Sequence, residues 1–464
     1  MLTDFLASRI TQELPFHPTP QQTELIIRLA DFLSLQSQGN AFLLKGYAGT
    51  GKTSVLSALV KAMNRLQQKI VLLAPTGRAA KVFSSYSGFI AYTIHKKIYR
   101  QKSFTEPVFL LAENLHTDTL FIVDEASMIA NSAMDTNFGT GNLLDDMIHY
   151  VYSGAGCSLI VVGDTAQLPP VMLDRSPALE SSILEGYGLQ LIEYTLTTVV
   201  RQALESGILY NATLLRQALD DELTSNLPNL KINPFTDIII LSGTELSDEI
   251  QQSYDGVGAT DTIIITRSNR SALFYNVGIR GRVMQKDEEL SNGDLLMITR
   301  NNYYWNKEYK EIDFVANGDI VEVIRLKKST EMYGFRFAEL SLRSLDVGWE
   351  IDALVLLESL YTETPTQMKE LGQLLFERVQ EDYIDIKSKR ERYKQLQENE
   401  YLNALQVKFA YSVTCHKAQG GQWKKVFIDM NLMPDMLIDR NYYRWLYTAL
   451  TRATETVYLI NYHT

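Results

Sequence analysis

The sequence predicts an α/β protein in which buried strands alternate with helices and a small β-barrel-like piece is inserted late in the chain. Three observations predict it. Apolar runs of strand length recur at Ala41–Leu44, Ile70–Ala74, Thr119–Val123, Ser158–Val162, Thr262–Thr266 and Val426–Met430, and polar loops follow most of them. That is the look of parallel strands covered on both faces. Helical spacing fills intervals between them, as in Val55, Leu56, Leu59, Val60, Met63 and Leu66. From about Met284 the texture changes to short strands and tight turns, Ser291-Asn292-Gly293-Asp294 and Asn317-Gly318-Asp319, which are hairpin signals.

The first strand leads into Gly46-Tyr47-Ala48-Gly49-Thr50-Gly51-Lys52-Thr53. Glycine at Gly46, Gly49 and Gly51 lets backbone N–H groups curl around phosphate oxygens, and the helix start beyond them favours an anion. Lys52 is expected to reach the outer phosphates of a nucleotide, and the Thr53 hydroxyl to hold Mg²⁺. Thr50 completes the cradle. Upstream, Thr19-Pro20 starts a helix carrying Gln22. Gln22 reads either as a solvated helix glutamine or as an amide facing an adenine edge.

The second strand ends in Pro75-Thr76-Gly77-Arg78. Thr76 suits a helix cap and also a contact to a phosphodiester backbone. Thr93 to Lys97 starts a helix with His95 in a basic cluster. Residues 98–118 mix aromatic and basic side chains, as a surface loop or a small protruding hairpin would.

The strand Thr119–Val123 delivers Asp124 and Glu125. Paired acids at a strand end after a phosphate loop suit Mg²⁺ binding by Asp124 and activation of the attacking water by Glu125. The strand Ser158–Val162 leads to Gly163-Asp164-Thr165-Ala166-Gln167-Leu168-Pro169-Pro170. There Gln167 is placed to sense the terminal phosphate, and Asp164 to hold the loop. Arg201 and Arg452 suit the charge on a transferring phosphoryl group. An ordinary ion-pair role serves a lone arginine equally well. The charged stretch 366–405 reads as a solvated helix laced by ion pairs.

The bulk composition is that of a globular chain: 464 residues, 45% hydrophobic and 21% charged. Net charge is −11, which by itself counts against nucleic-acid binding; a local basic groove on an acidic protein overrides it. No apolar run approaches the ~18 residues of a membrane span. Met1-Leu2-Thr3-Asp4-Phe5 has no basic start before an apolar core, and Cys157 and Cys415 lack metal spacing. A cytoplasmic setting is expected.

The ordered set Gly46–Thr53, Ala74–Ala80, Asp124–Met128, Gly163–Pro170, Thr197–Gln202, Thr414–Trp423 and Tyr447–Arg452 resembles the superfamily 1 DNA helicases, and among them the 5′-to-3′, RecD-like and Dda-like branch. The resemblance implies two RecA-like parallel-sheet domains with ATP·Mg²⁺ between them and an SH3-like barrel insertion. It divides the chain into a first domain at 1–190, with a strand-separating wedge near 98–118. A second domain follows at 191–283 and 406–464, interrupted by the insertion at 284–405. Lys52, Thr53, Asp124, Glu125 and Gln167 come from the first domain, and Arg201 and Arg452 reach in from the second. Thr76, His95, Asn269, Thr414 and His416 fall at strand-contact positions. The implied partners are single-stranded and forked duplex DNA. A nucleotide-regulated DNA-binding switch, or a translocase that does not unwind, is the competing expectation.

Overall fold

The computed structural model describes residues 2–35, 39–103, 106–131, 138–200, 205–306, 309, 314–431 and 437–462. Eight strands precede residue 200: β1 (Asn40–Gly46), β2 (Lys69–Ala74), β3 (Ala91–Thr93), β4 (Tyr99–Ser103), β5 (Glu106–Leu111), β6 (Thr119–Val123), β7 (Ser158–Gly163) and β8 (Gln190–Leu196). Six of them form a sheet in the order β3-β2-β6-β7-β1-β8, parallel throughout. Alternation along each strand serves two cores. Phe42 and Leu44 of β1 pack into one, and Ala41 and Leu43 into the other. All four are fully buried, which is why these strands read as continuous apolar runs.

The register levels the strand ends. Leu73 pairs with Val123, Val123 with Val161, and Lys45 with Gly163. The loops after β1, β2, β6 and β7 therefore leave one edge of the sheet together, the edge where open parallel sheets bind ligands.

A second parallel sheet contains β9 (Ile238–Leu241), β10 (Thr262–Thr266), β16 (Ser412–Thr414), β17 (Trp423–Asp429) and β18 (Ala453–Ile460), in the order β16-β10-β17-β18-β9. Between β10 and β16 the chain builds a closed five-stranded barrel from β11 (Leu295–Ile298), β12 (Ile320–Met332), β13 (Phe335–Ser344), β14 (Glu350–Leu356) and β15 (Leu405–Phe409). The expected fold class, parallel sheets of RecA-like type with an SH3-like barrel, is what the chain forms. The second sheet and the barrel share one apolar core.

Two helices, Pro365–Glu381 and Lys389–Glu398, leave the barrel between β14 and β15. The first starts at a Thr364/Gln367 capping box with Pro365 in the first turn, an N-terminus signature visible in sequence. Leu375, Val379 and Leu396 bury against Phe335, Phe337, Leu354 and Leu356 of the barrel. The stretch expected to be a solvated helix is thus anchored along one side. Within 98–118, β4 and β5 form an antiparallel hairpin. At its base Phe109 touches Phe138, Tyr303 and Phe314.

Candidate functional site

The loop Gly46–Thr53 connects β1 to the helix Lys52–Arg65. Gly49 and Gly51 have φ of +74° and +85°, the left-handed region that glycine enters freely. A Cβ on Gly51 would lie 2.2 Å from Gln22 Nε2, and one on Gly46 would lie 2.9 Å from the Lys52 stem. The helix has no side-chain cap, so its first N–H groups face the loop. These features fit a nucleotide's phosphates.

Lys52 Nζ donates to the carbonyls of Gly46 and Tyr47, and lies 3.9 Å from Asp164 Oδ2. Thr50 Oγ1 donates to the Tyr47 carbonyl at 2.8 Å. Thr53, next along the helix, is exposed. Gln22 lies under the loop and is fully buried. Its Nε2 donates to the Thr50 carbonyl at 3.0 Å, and its Oε1 accepts the Thr19 N–H at 3.0 Å. Both ends of the amide brace the loop.

Asp124 and Glu125 follow β6. Asp124 accepts from the Tyr86 hydroxyl and, at 2.8 Å, from the Glu125 N–H. Burial, then the adjacent Glu125 charge, pushes the Asp124 carboxyl up to about 6. Glu125 has φ +54°, a strained conformation for a side chain of its size and common at functional sites. Its Oε1 lies 3.8 Å from Arg452 Nη1. Arg452 is buried and held by the carbonyls of Thr448 and Gly421 at 3.1 and 3.3 Å.

After β7, Asp164 accepts from the Ala166 N–H at 2.9 Å and from the Tyr447 hydroxyl at 2.7 Å. Burial raises its pKa and Lys52 lowers it, with a net upward shift. Gln167 is buried, and its Oε1 has no hydrogen-bond partner among the described residues. A buried acceptor left unpaired is costly, and a ligand group would satisfy it.

The second sheet unit closes over these loops. The Tyr447 hydroxyl accepts the Ala48 N–H at 2.8 Å. Thr448 Oγ1 accepts the Leu168 N–H at 2.9 Å, and Gln419 Nε2 donates to the Leu168 carbonyl at 2.7 Å. Arg78 stacks on Trp423 at 3.8 Å, so it is committed to this seam. Lys52, Asp124, Glu125, Asp164, Gln167 and Arg452 thereby share one seam. Arg201 lies outside the described residues. Its neighbour Val200 donates its N–H to the Gly49 carbonyl at 2.9 Å.

The strand-contact candidates divide. Asn269 begins the helix Asn269–Gly278, and Thr414 ends β16. Both line a cleft of about 870 Å³ between the second sheet, the barrel and the paired helices. His416 is exposed on the short helix Cys415–Ala418. Thr76 caps the helix Gly77–Ser87 by accepting the Ala79 N–H at 3.2 Å. His95 packs its ring on Phe138 and Tyr99. Thr76 and His95 belong to the first sheet unit, outside the lining of that cleft.

Tyr447, Thr448, Gln419 and Tyr86 had no role assigned from sequence. Their chemistry is ordinary until the fold places them. The signal available for the first two was their position in Tyr447–Arg452, within one helical turn or so of a candidate arginine.

The fold and site define a two-unit P-loop nucleoside triphosphatase. Residues 19–223 match the AAA domain family model, and residues 409–460 match the UvrD-like helicase C-terminal domain. An uncharacterized protein of Acanthamoeba polyphaga mimivirus is 24% identical over 92% of this chain and 96% of its own length. The ATP-dependent RecD2 DNA helicase of Deinococcus radiodurans is 24% identical over 89% of this chain, which spans 46% of that protein. A Pif1 helicase from Bacteroides, solved with ADP-AlF3 and ssDNA, aligns over 97% of this chain and 93% of its own, with 16% identity and a TM-score of 0.47. The chain is thus similar to helicases of the RecD-like branch of superfamily 1.

Proposed function

We propose that the chain hydrolyses ATP to move 5′ to 3′ along single-stranded DNA and to unwind forked duplex. One observation carries this reading. The stretch Thr414–Trp423 contributes Thr414 to the basic cleft and Gln419 to the loop after β7. A change at the nucleotide seam is thereby transmitted along a single short segment to the cleft. A nucleotide switch without movement has less need of that continuity.

In this reading Lys52 and the loop N–H groups hold the β- and γ-phosphates, and Gln22 keeps the loop in shape from below. Thr53 and Asp124 hold Mg²⁺, whose charge, when bound, offsets that on the transferring phosphoryl group. Glu125 orients and polarises the attacking water. Gln167 senses the terminal phosphate, and Arg452 and Arg201 reach toward it. Asn269, Thr414 and His416 contact the strand from the second unit, with Thr76 and His95 on the first. Contacts to backbone position a strand without reading sequence. Residues 1–190, 191–283 with 406–464, and 284–405 act as the moving bodies, and the hairpin near 98–118 is the wedge. The absence of any membrane-crossing helix among the described residues is compatible with work in the cytoplasm.

The test is ATPase rate with and without single-stranded DNA, followed by unwinding of duplexes tailed on one end only. Stimulated hydrolysis and unwinding from 5′ tails are expected. Hydrolysis indifferent to DNA would leave only the switch, and unwinding from 3′ tails alone would reverse the direction.

A further inference from the structure

We propose that the paired helices Pro365–Glu381 and Lys389–Glu398 form a base-stacking wall, gripping single-stranded DNA in the cleft through Phe376 and Tyr393. The inference rests on the strand-tracking reading and goes beyond it, since that reading gives these helices no contact with the strand.

Charge is the first argument. The chain carries 55 acidic against 44 basic side chains. Yet the described cleft lining includes Arg300, Lys369, Lys408 and Lys417 and no Asp or Glu. On an acidic protein, a cleft whose described lining holds cations and no carboxylate presents a site for a polyanion. Arg300 and Lys408 come from the barrel side, Lys417 from the short helix after β16 and Lys369 from the first paired helix.

Aromatic exposure is the second. Phe376 and Tyr393 line the cleft while remaining 44% and 62% exposed. The helices already have their own anchor on the barrel, through Leu375, Val379 and Leu396. The two rings are therefore surplus to the packing of their helices. Cations beside open aromatic faces are the combination that holds single strands, phosphates on the cations and bases on the rings. Duplex DNA hides its base faces, so the wall selects unpaired strand.

The test uses the full chain, its Phe376→Ala and Tyr393→Ala variants, and Tyr393→Phe. Fluorescence anisotropy measures binding of labelled oligo-dT and of an abasic sugar–phosphate strand of equal length. Wild type should bind oligo-dT more tightly than the abasic strand. Each alanine variant should lose about tenfold for oligo-dT, the scale of one base–aromatic stack, and change little for the abasic strand. Tyr393→Phe should retain wild-type affinity, and ATPase without DNA should be unchanged in all. Wild-type oligo-dT affinity in both alanine variants, or equal losses on both strands, overturns the wall while leaving the track reading intact. Failure of wild type to bind either strand overturns both.

Discussion

The Tyr447 hydroxyl donates to Asp164 Oδ2 at 2.7 Å and accepts the Ala48 N–H at 2.8 Å. One side chain from the second sheet unit thus ties together two loops of the first, the phosphate loop and the loop after β7. Nearby Asp164 lies 3.9 Å from Lys52, so the tie reaches the charge that would meet the phosphates. The contact is fully buried on the Tyr447 side. Burial first, and then the Asp164 charge, hold the phenol well above its ordinary range, so it remains a donor at any working pH.

Tyr447→Phe removes the bridge, takes one donor from Asp164 and leaves the half-buried Ala48 N–H without this partner, at ~1–3 kcal/mol for the loss. The seam should open more readily. DNA-stimulated kcat is expected to fall about tenfold, while affinity for a fluorescent ATP analogue changes less than threefold. Steady-state ATPase and equilibrium titration check it; equal loss in both would mean the tyrosine serves only to build the loop.

Glu125 and Arg452 sit 3.8 Å apart, the acid proposed to activate water beside a cation suited to phosphoryl charge. Glu125→Gln should bind ATP normally and lose turnover by about 10²–10⁴-fold. Lys52→Ala should abolish hydrolysis. Arg452→Ala should lose about 10³-fold or more in single-turnover rate, by analogy with arginine fingers. Wild-type hydrolysis by Lys52→Ala would discard the site.

Lys417 donates to Asn317 Oδ1 at 2.6 Å and lines the basic cleft. Binding to a strand should weaken linearly on a log–log plot against salt. Lys417→Ala should reduce that slope by about one phosphate contact, across all strand sequences alike. Anisotropy titrations over a salt series read it. An unchanged slope removes Lys417 from the phosphate path.

Asp319 is buried at the turn before β12, where its Oδ2 accepts the Ala316 N–H at 2.9 Å. Burial pushes its carboxyl up from the ordinary 3.8 to about 7. A carboxyl whose pKa rises on folding destabilises the fold wherever it is ionised. That cost is absent below about pH 4, grows as pH rises and is complete above about 7. Asp319→Asn keeps an acceptor without the charge. Its melting temperature should exceed wild type by a few degrees at pH 8 and match it at pH 4. A constant difference at both would place the effect elsewhere.

Much of this molecule was legible before folding. The strand runs that end at Val123 and at Val162 lie within a residue of the strands formed, because residues buried on both faces must all be apolar. The helix start at Thr19-Pro20 was readable, and the return of the Gln22 amide onto the Thr19 cap was not. The helical stretch 366–405 was readable as helix, and its anchored side was not. Its charges mask the few apolar positions that meet the barrel, and those positions mean something only once the barrel exists.

The sequence by itself determined the fold class, the phosphate loop and the order of its accompanying acids and arginines. Those depend on local requirements: glycine where φ is positive, a strand run before a loop, a charge type suited to phosphate. Only the tertiary structure decided which side chains meet across the seam. The bridge from Tyr447 to Ala48 and Asp164 joins residues 399 and 283 positions apart. The cleft, with no acid among its described lining residues, gathers cations from the barrel, the short helix after β16 and an inserted helix. Sequence separation of that size carries no periodic signal, so such contacts become visible only when packing brings their elements together.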